Sequence, residues 1–326
     1  MFLSIVMKIL IADKFPAEYL KEIVNLNYEY TLCPDITSNE LVNKIIGFDI
    51  LIVRSKKIDS TIIKSSDKLK MIIRAGSGYD TIDIESAKDK NIIVSNVPGK
   101  NSIAVAELTM GLILSIDRRI PDNVLDLRKS YWDKGKYSNA VGIFGRTLGV
   151  IGAGKIGLKV IERAISFGLK ILVFDPNYNS NIILNEMMIK YNISVTNDIY
   201  DIARFSDIIT LHIPLNENTQ GIINKKFLNY VKKDGVIINT SRGELIIEED
   251  LLIAINEKNI KVGIDVYSNE PKAKCEIFNS KIAKHTNVYG THHIGASTFQ
   301  AQNSVAEGVI EILESFKIDK IINQVN

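Results

Sequence analysis

Cysteine is nearly absent from the sequence, and so is any excess of charge of one sign. Only two cysteines, Cys33 and Cys275, occur among the 326 residues. This excludes a disulfide scaffold and a cysteine-rich zinc site, and it fits a reducing compartment. Lys and Arg number 40 and Asp and Glu number 38, which gives a net charge of +2. Such a balance provides no electrostatic footprint for nucleic acid or anionic lipid, so we expect no nucleic-acid partner.

Long uncharged hydrophobic runs are also lacking. Residues 1–12 are apolar but have neither the basic region nor the small-residue cleavage site of a signal peptide. The longest apolar helix candidate, residues 102–120, contains Glu107 and Asp117, whereas a membrane span prefers about 20 residues with few or no charges. We therefore expect a cytoplasmic protein with no membrane partner. The composition, 46% hydrophobic and 24% charged, is that of a globular protein, and the length suggests about two domains.

Short β-branched runs alternate with helical stretches, which predicts parallel βαβ units with strands covered on both faces. The first series has strands predicted at 8–12, 49–53, 71–75 and 91–95 and helices at 18–26 and 38–46. The second series has strands predicted at 147–152, 170–175, 207–214, 235–240 and 261–266 and helices at 156–167 and 248–258. The predicted fold class is α/β, with doubly wound parallel sheets. A last helix is predicted at 297–316, and the pattern leaves open which sheet it covers.

A glycine-rich turn, GAGKIG (152–157), follows a predicted strand and opens a predicted helix. In a dinucleotide-binding turn of this spacing, Gly152 makes the tight turn, Gly154 lets a pyrophosphate approach the backbone, and Gly157 lets helix pack on strand. Asp175 ends the next strand, where a carboxylate binds ribose hydroxyls and repels a 2′-phosphate. The sequence therefore favours NAD over NADP, with S-adenosylmethionine or flavin as alternative ligands.

Three polar residues follow predicted strands in the second series, where open α/β sheets bind ligands. Arg242 can hold a carboxylate with its guanidinium fork, and His293 can move a hydroxyl proton near neutral pH. A carboxylate such as Glu270 beside the imidazole would hold its tautomer and raise its pKa. Taken singly, the same residues are also typical of a surface turn, a loop and a structural histidine. Their spacing alone does not show that they meet.

Along essentially its whole length the chain resembles the D-isomer-specific 2-hydroxyacid dehydrogenases. The segments that carry this resemblance are VRSKKI (53–58), RAGSGYDTID (74–83), NVPGKNSIAVAELT (96–109), GRTLGVIGAGKIG (145–157), FDP (174–176), LHIPLNENTQGII (211–223), INTSRGELIIEEDL (238–251), GIDVYSNEP (263–271) and HHIGASTFQAQ (292–302). By this resemblance Arg242, Glu270 and His293 are the catalytic residues, with His293 the acid–base group and Glu270 its partner. His292 stands where the family usually has proline.

The resemblance also implies an NAD site, in which Asp265 faces the nicotinamide carboxamide. Its cofactor-binding residues would be Ser77, Gly152, Gly154, Lys155, Ile156, Gly157, Asp175, His212, Ile213, Pro214, Thr240, Ser241, Arg242, Asp265, His293, Gly295 and Ala296. The implied substrate-binding residues are Arg54, Ser55, Arg74, Gly76, Ser77, Asn101, Lys134, Arg242 and His293. Lys134 would reach the site of a neighbouring subunit, and some relatives have arginine there. No metal is expected.

In architecture, the resemblance implies a Rossmann NAD-binding domain, residues 102–293, inserted in a flavodoxin-like substrate domain formed by 1–101 and 294–326. The active site would lie in the cleft between them, and the chain would form a homodimer through 102–120 and 121–145. The chain ends at Asn326, so we expect no C-terminal regulatory domain of the ACT type and no serine feedback through one.

For function, the NS-x-x-VAELT and GAST-x-x-AQ segments favour the phosphoglycerate branch of the family. We therefore expect NAD-dependent oxidation of 3-phosphoglycerate to 3-phosphohydroxypyruvate, the first step of the phosphorylated route to L-serine. Reduction of glyoxylate or hydroxypyruvate, or action on another D-2-hydroxy acid, is the alternative within the same chemistry. An NAD-sensing binding protein, like the co-repressors of the family, is the alternative of a different class.

Overall fold

The computed structural model describes residues 6–271 and 275–326. The chain divides into two compact units, Met1–Asn101 with Ser297–Asn326, and Ser102–Ala296. Each unit contains one parallel sheet. Among the described residues, no helix combines the length and the apolar character that crossing a membrane requires.

The first unit has a five-stranded sheet in the order β2-β1-β3-β4-β5, as in flavodoxin-like folds. Its strands are β1 (Lys8–Ile11), β2 (Glu29–Leu32), β3 (Ile50–Val53), β4 (Met71–Arg74) and β5 (Ile93–Asn96), and its connecting helices are α1 (Ala17–Asn25), α2 (Ser38–Lys44), α3 (Ser60–Ser65) and α4 (Ile84–Asp89). Alternate residues of β1 and β3 enter opposite cores: Ile9 and Ile50 join one, Leu10 and Leu51 the other. The central strands are apolar throughout because helices cover both faces.

The second unit has a seven-stranded sheet in the order β12-β11-β10-β9-β6-β7-β8. Its strands are β6 (Thr147–Ile151), β7 (Lys170–Phe174), β8 (Ser194–Thr196), β9 (Ile208–Leu211), β10 (Val236–Asn239), β11 (Lys261–Ile264) and β12 (Val288–Gly290). Its helices are α5 (Ser102–Arg118), α6 (Ile120–Arg128), α7 (Lys155–Ser166), α8 (Ile182–Tyr191), α9 (Ile199–Phe205), α10 (Lys225–Tyr230) and α11 (Glu248–Lys258). The strand order reverses between β6 and β9, which marks the ligand-binding crevice of Rossmann folds.

The predicted fold class is confirmed, and every predicted strand is present, each of them shorter than predicted. The sequence did not predict β2, β8 and β12. All three lie at sheet edges and present partly exposed faces, so they lack the continuous apolar run that marks a buried strand. Predicted helix 102–120 was too long, because α5 ends at Arg118 and Arg119 is left-handed, with φ at 50°. The next helix, α6, begins at Ile120 and has Pro121 in its first turn.

The last helix, α12 (Phe299–Lys317), packs on the sheet of the first unit. Val309 and Leu313 are fully buried in the same core as Ile9. The hydroxyl of Tyr28 donates to the carbonyl oxygen of Leu313 at 3.1 Å. These contacts show that α12 covers the sheet of the first unit. The sequence pattern left this open because the strands that α12 covers are far from it along the chain.

Candidate active site

The glycine turn after β6 has a different steric requirement at each glycine. Gly152 has a φ of +94°, and a Cβ there would lie 2.6 Å from the carbonyl oxygen of His212. A Cβ at Gly157 would lie 2.0 Å from the carbonyl oxygen of Gly152. A Cβ at Gly154 would meet no atom within 4 Å, so Gly154 borders open space at the N-terminus of α7. The turn thus needs glycine at 152 and 157 for packing, whereas Gly154 leaves open space beside the backbone.

Asp175 follows β7 and is bonded to the glycine turn. Its Oδ2 accepts from the amide of Ala153 at 2.7 Å, and its Oδ1 accepts from the amide of Asn177 at 2.8 Å. A carboxylate offers about four lone-pair sites, so Asp175 can still accept hydrogen bonds from the two hydroxyls of a ribose. The residue that the sequence predicted to bind ribose therefore also fixes the turn.

The segment after β9 packs on the same turn. A side-chain carbon of Ile213 would lie 2.7 Å from a Cβ at Gly152, and the hydroxyl of Ser241 donates to the carbonyl oxygen of Ile213. His212 shares a hydrogen bond with Thr210 through Nε2 at 2.9 Å, and burial lowers the pKa of His212 to about 3. His212 is therefore neutral at physiological pH and belongs to the scaffold of the turn rather than to the acid–base chemistry.

Residues 240–242, after β10, are held by Asn239, which sequence reasoning did not single out. The buried Asn239 side chain donates to the carbonyl oxygen of Arg242 at 2.8 Å and accepts from the amide of Ser241 at 3.0 Å. Thr240 is buried and its hydroxyl lies 3.0 Å from that of Thr109. A polar side chain at the end of an apolar strand is the sequence signal that could have found Asn239.

Asp265, after β11, holds the loop that contains His293. It is 1% exposed. Its Oδ1 accepts from the hydroxyl of Thr291 at 2.6 Å and from the amide of Ile294 at 2.8 Å, and its Oδ2 accepts from the amide of Gly295 at 2.8 Å. His293, between these partners, has a φ of 51° in the left-handed region. These bonds offset the cost of that backbone conformation, which is about 1–3 kcal/mol for a residue other than glycine.

His293 and Glu270 form a direct pair, with 2.8 Å between His293 Nδ1 and Glu270 Oε2. The hydrogen bond to Glu270 raises the pKa of His293 above its usual value, although burial opposes the shift. Burial acts to raise the pKa of Glu270, but its bonds with His293 and the amide of Tyr267 outweigh this and lower it. The positive charge of Arg242 acts to lower the pKa of both groups. The structure thus brings together the three residues predicted to be catalytic.

The first unit carries its own group of predicted residues, which lie at or beyond the carboxyl ends of β3, β4 and β5. Asp13 accepts from the amides of Arg54 and Ser55 at 2.7 and 3.1 Å. The guanidinium of Arg74 lies over Gly76, where a Cβ would clash with it at 1.6 Å. The hydroxyl of Ser77 donates to the side-chain oxygen of Asn101 at 3.0 Å. These residues form a polar edge with two cations at the carboxyl ends of the strands.

Lys134 lies in an exposed turn of the second unit, after α6. Asp126 holds this turn, because its Oδ2 accepts from Lys136 Nζ at 2.6 Å and from the hydroxyl of Tyr137 at 2.7 Å. The side chain of Trp132 beside it is 78% exposed. The turn is thus fixed at its base and presents a cation and an aromatic ring.

Comparison with known proteins now adds to this geometry. Residues 110–295 match the family described as "D-isomer specific 2-hydroxyacid dehydrogenase, NAD binding domain". The chain belongs to the D-isomer specific 2-hydroxyacid dehydrogenases. The matched span of this dehydrogenase contains the glycine turn, Asp175, Arg242, Glu270 and His293, and it carries the NAD binding domain of the family.

Several members of the family are similar over most of the dehydrogenase chain. D-3-phosphoglycerate dehydrogenase of Methanocaldococcus jannaschii is 37% identical over 98% of this chain, which spans 60% of that relative's length. Hydroxypyruvate reductase of Thermotoga maritima is 38% identical over 85% of this chain and 87% of its own. The NAD⁺-bound structure of 3-phosphoglycerate dehydrogenase from Entamoeba histolytica, 29% identical, superposes with a TM-score of 0.78 and covers 98% of this chain and 99% of its own.

Proposed function

We propose that this dehydrogenase oxidises 3-phosphoglycerate to 3-phosphohydroxypyruvate with NAD, and catalyses the reverse reduction. The observation that carries the proposal is the 2.8 Å pair of His293 and Glu270 beside the charge of Arg242, in the NAD binding domain of the family. A base, a carboxylate that orients it and a guanidinium are the groups that oxidation of a 2-hydroxy acid requires.

The NAD site of the proposal consists of the glycine turn, Asp175 and the segments after β9 and β10. The open space at Gly154 and the N-terminus of α7 suit a pyrophosphate, and Asp175 suits ribose hydroxyls. Bound NAD would supply the hydride acceptor. Thr240, Ser241 and Asp265 would border the nicotinamide end, as the resemblance implies.

The proposed roles of the catalytic residues follow from their contacts. Because Nδ1 of His293 is bonded to Glu270, Nε2 is the ring nitrogen left to take the proton of the substrate hydroxyl. Glu270 stabilises the imidazolium that forms, which is why the shared bond raises the pKa of His293. Arg242 would hold the substrate carboxylate and polarise the carbonyl in the reverse direction.

The proposed substrate phosphate needs cations beyond Arg242, and three are available. Arg54 follows β3 and Arg74 is the last residue of β4 in the first unit, which we assign to substrate binding, and Lys134 lies in its exposed turn. The likeness to the D-3-phosphoglycerate dehydrogenase of Methanocaldococcus jannaschii over 98% of the chain supports this substrate. A place in the phosphorylated route to L-serine and a cytoplasmic location are parts of the same proposal.

A homodimer belongs to the proposal as well. Large apolar side chains are exposed near α6 and after it, among them Leu127, Trp132 and Phe144, the last 86% exposed. Burial of such side chains against a second copy would remove them from water. Light scattering with size-exclusion chromatography tests this part, with a mass of one chain as the contrary result.

Consumption of NADH measured at 340 nm tests the substrate. The rate with 3-phosphohydroxypyruvate should exceed that with hydroxypyruvate by about 100-fold in kcat/KM, on the order of 3 kcal/mol. The variant Arg54→Gln should raise KM for the phosphorylated compound and leave that for hydroxypyruvate unchanged, because it removes a cation while the amide of residue 54 can still donate to Asp13. Absence of turnover with both acids would contradict the two named substrates, and it would leave another D-2-hydroxy acid as substrate or an NAD-sensing protein.

Hydroxypyruvate reduction is the second candidate. The observation that favours it is the likeness to the hydroxypyruvate reductase of Thermotoga maritima, which is 38% identical over 85% of this chain. Comparable rates with the two acids, unaffected by Arg54→Gln, would establish this candidate in place of the first.

A further inference from the structure

The position of the Glu270 carboxylate depends on a short turn, residues 267–270, that has no regular secondary structure. Within the turn, the amide of Tyr267 donates to Glu270 Oε1 at 3.0 Å, which leaves Oε2 for His293. Glu270 and His293 are partly exposed, with 33% and 51% of their side chains accessible. Because both side chains are partly exposed, the position of the carboxylate depends on how the turn itself is held.

Residues outside the turn hold it, among them Glu248, Gly243 and Phe278, whose ring lies 4.9 Å from that of Tyr267 between centroids. Glu248, the first residue of α11, accepts through Oε1 from the hydroxyl of Ser268 at 2.8 Å and from its amide at 3.3 Å. Gly243 lies directly against the turn, since a Cβ there would be 2.1 Å from the carbonyl carbon of Tyr267 and 2.3 Å from the nitrogen of Ser268. Gly243 follows Arg242, so the same turn is packed on the segment that carries the arginine.

We infer that Glu248 is a positioning residue for the acid–base pair: its carboxylate holds Ser268, and through the 267–270 turn it keeps Glu270 in hydrogen-bonding reach of His293. Without Glu248, the turn keeps its internal Tyr267–Glu270 bond but loses its attachment to α11. The carboxylate of Glu270 then samples positions away from the imidazole, and the pair is made for a smaller fraction of the time.

The first turn of α11 also offers a matched control. Glu248, Glu249 and Asp250 are all acidic and interact similarly with the positive end of the helix dipole. Glu249 is exposed and, within the described part of the chain, makes no hydrogen bond to the turn. Substitution of Glu249 therefore changes charge and helix capping as substitution of Glu248 does, but leaves Ser268 bound.

The test measures the pKa of the His293 imidazole directly, by NMR titration of protein labelled with ¹⁵N-histidine and assigned with His293→Asn. Within the part of the chain that the structure describes, the charged groups that act on this imidazole are Glu270, Asp265 and Arg242. In Glu248→Ala the pKa should fall by about half a unit or more, because the bond that raises it is weakened. Ser268→Ala should lower it less, since the Ser268 amide still donates, and it provides the test if Glu248→Ala does not fold.

Two further variants separate positioning from charge. Glu248→Gln should keep the pKa near that of the wild type, because one carbonyl oxygen can accept both bonds from Ser268. Glu249→Ala should leave it unchanged. An unchanged pKa in both Glu248→Ala and Ser268→Ala would overturn the inference. So would an equal fall in Glu248→Ala and Glu249→Ala, or in Glu248→Ala and Glu248→Gln, since each of these indicates a charge effect.

The catalytic meaning of this positioning rests on the proposed function, whereas the imidazole titration needs no substrate. With 3-phosphohydroxypyruvate, Glu248→Ala should lower kcat roughly ten- to hundredfold with little change in KM for NADH. If the pKa of His293 is shifted in Glu248→Ala but the wild type shows no turnover, the inference stands and the proposed function is overturned. If Glu248→Ala is active and its His293 has the wild-type pKa, the inference is overturned and the proposed function stands.

Discussion

The pKa values of two histidines of the second unit are shifted in opposite directions because the surroundings of the two rings differ. Burial without a charged partner lowers the pKa of His212 to about 3 and keeps its ring neutral. His293 lies against the Glu270 carboxylate, and that hydrogen bond raises its pKa above the usual value. Of these two imidazoles, only that of His293 can exchange a proton near neutral pH.

Glu270→Gln should move the pH profile of the reaction to lower pH. Protonated His293 cannot accept the hydroxyl proton, so oxidation slows as pH falls through its pKa, and reduction slows as pH rises through it. Loss of the carboxylate removes the bond that raises this pKa. The acid limb of kcat/KM for oxidation should therefore shift down by about one unit, together with a lower kcat. An acid limb at the wild-type position would contradict the assignment of the pair.

Asp175→Asn should weaken the preference for NAD over NADP. The negative charge repels a 2′-phosphate, and a unit charge at about 4 Å contributes on the order of 1 kcal/mol even in water, or roughly fivefold in affinity. Asparagine keeps one oxygen to accept from the amide of Ala153 or Asn177. Calorimetric titration with both dinucleotides gives the ratio, and an unchanged ratio would show that residue 175 does not face the ribose.

At the scale of elements, two glycines of the turn between β6 and α7 have different roles: Gly152 serves stability, and Gly154 serves cofactor binding. Gly152→Ala should lower the melting temperature, because a left-handed φ and the carbonyl oxygen of His212 both oppose a Cβ, at a cost of about 1–3 kcal/mol. Gly154→Ala adds a methyl group to open space and should melt like the wild type. Differential scanning calorimetry of the two variants provides the comparison.

The same pair tests the cofactor site. Gly154→Ala should weaken NAD binding although the protein remains stable, because the added methyl group occupies the space that a pyrophosphate needs. Wild-type affinity in Gly154→Ala, measured by fluorescence titration with NADH, would show that the pyrophosphate lies elsewhere.

The predictability of elements depends on how completely each one is buried. The apolar runs of β3 and β9 identify them as strands from the sequence, since all four residues of each are buried. Edge strand β2, with a mostly exposed pattern, gives no such signal. Arg119, a left-handed residue between α5 and α6, also has no local signature, so the sequence predicted one continuous helix up to Ile120.

At the scale of the whole molecule, each unit has its own cores. Val309 and Leu313 of α12 belong to a core of the first unit, together with Ile9 and Ile50. Leu313→Ala should therefore destabilise the first unit by about 2–5 kcal/mol. Hydrogen exchange should become faster in β1, β3 and α12 and stay unchanged in β6 and β7, and uniform acceleration across the chain would contradict this.

The sequence by itself determined the α/β fold class, the glycine turn and the family, because these depend on local patterns: apolar runs of strand length, glycines at fixed spacing and motifs in order. Tertiary structure decided which side chains meet. Glu270 and His293 are 23 residues apart and lie on separate loops. The bonds of Asp265 and Glu248 that hold these loops join segments 20 to 30 residues apart, which only the fold brings together. Hydrogen bonds across 20 or more residues of chain leave no periodic signal in a sequence, so only the folded backbone reveals them.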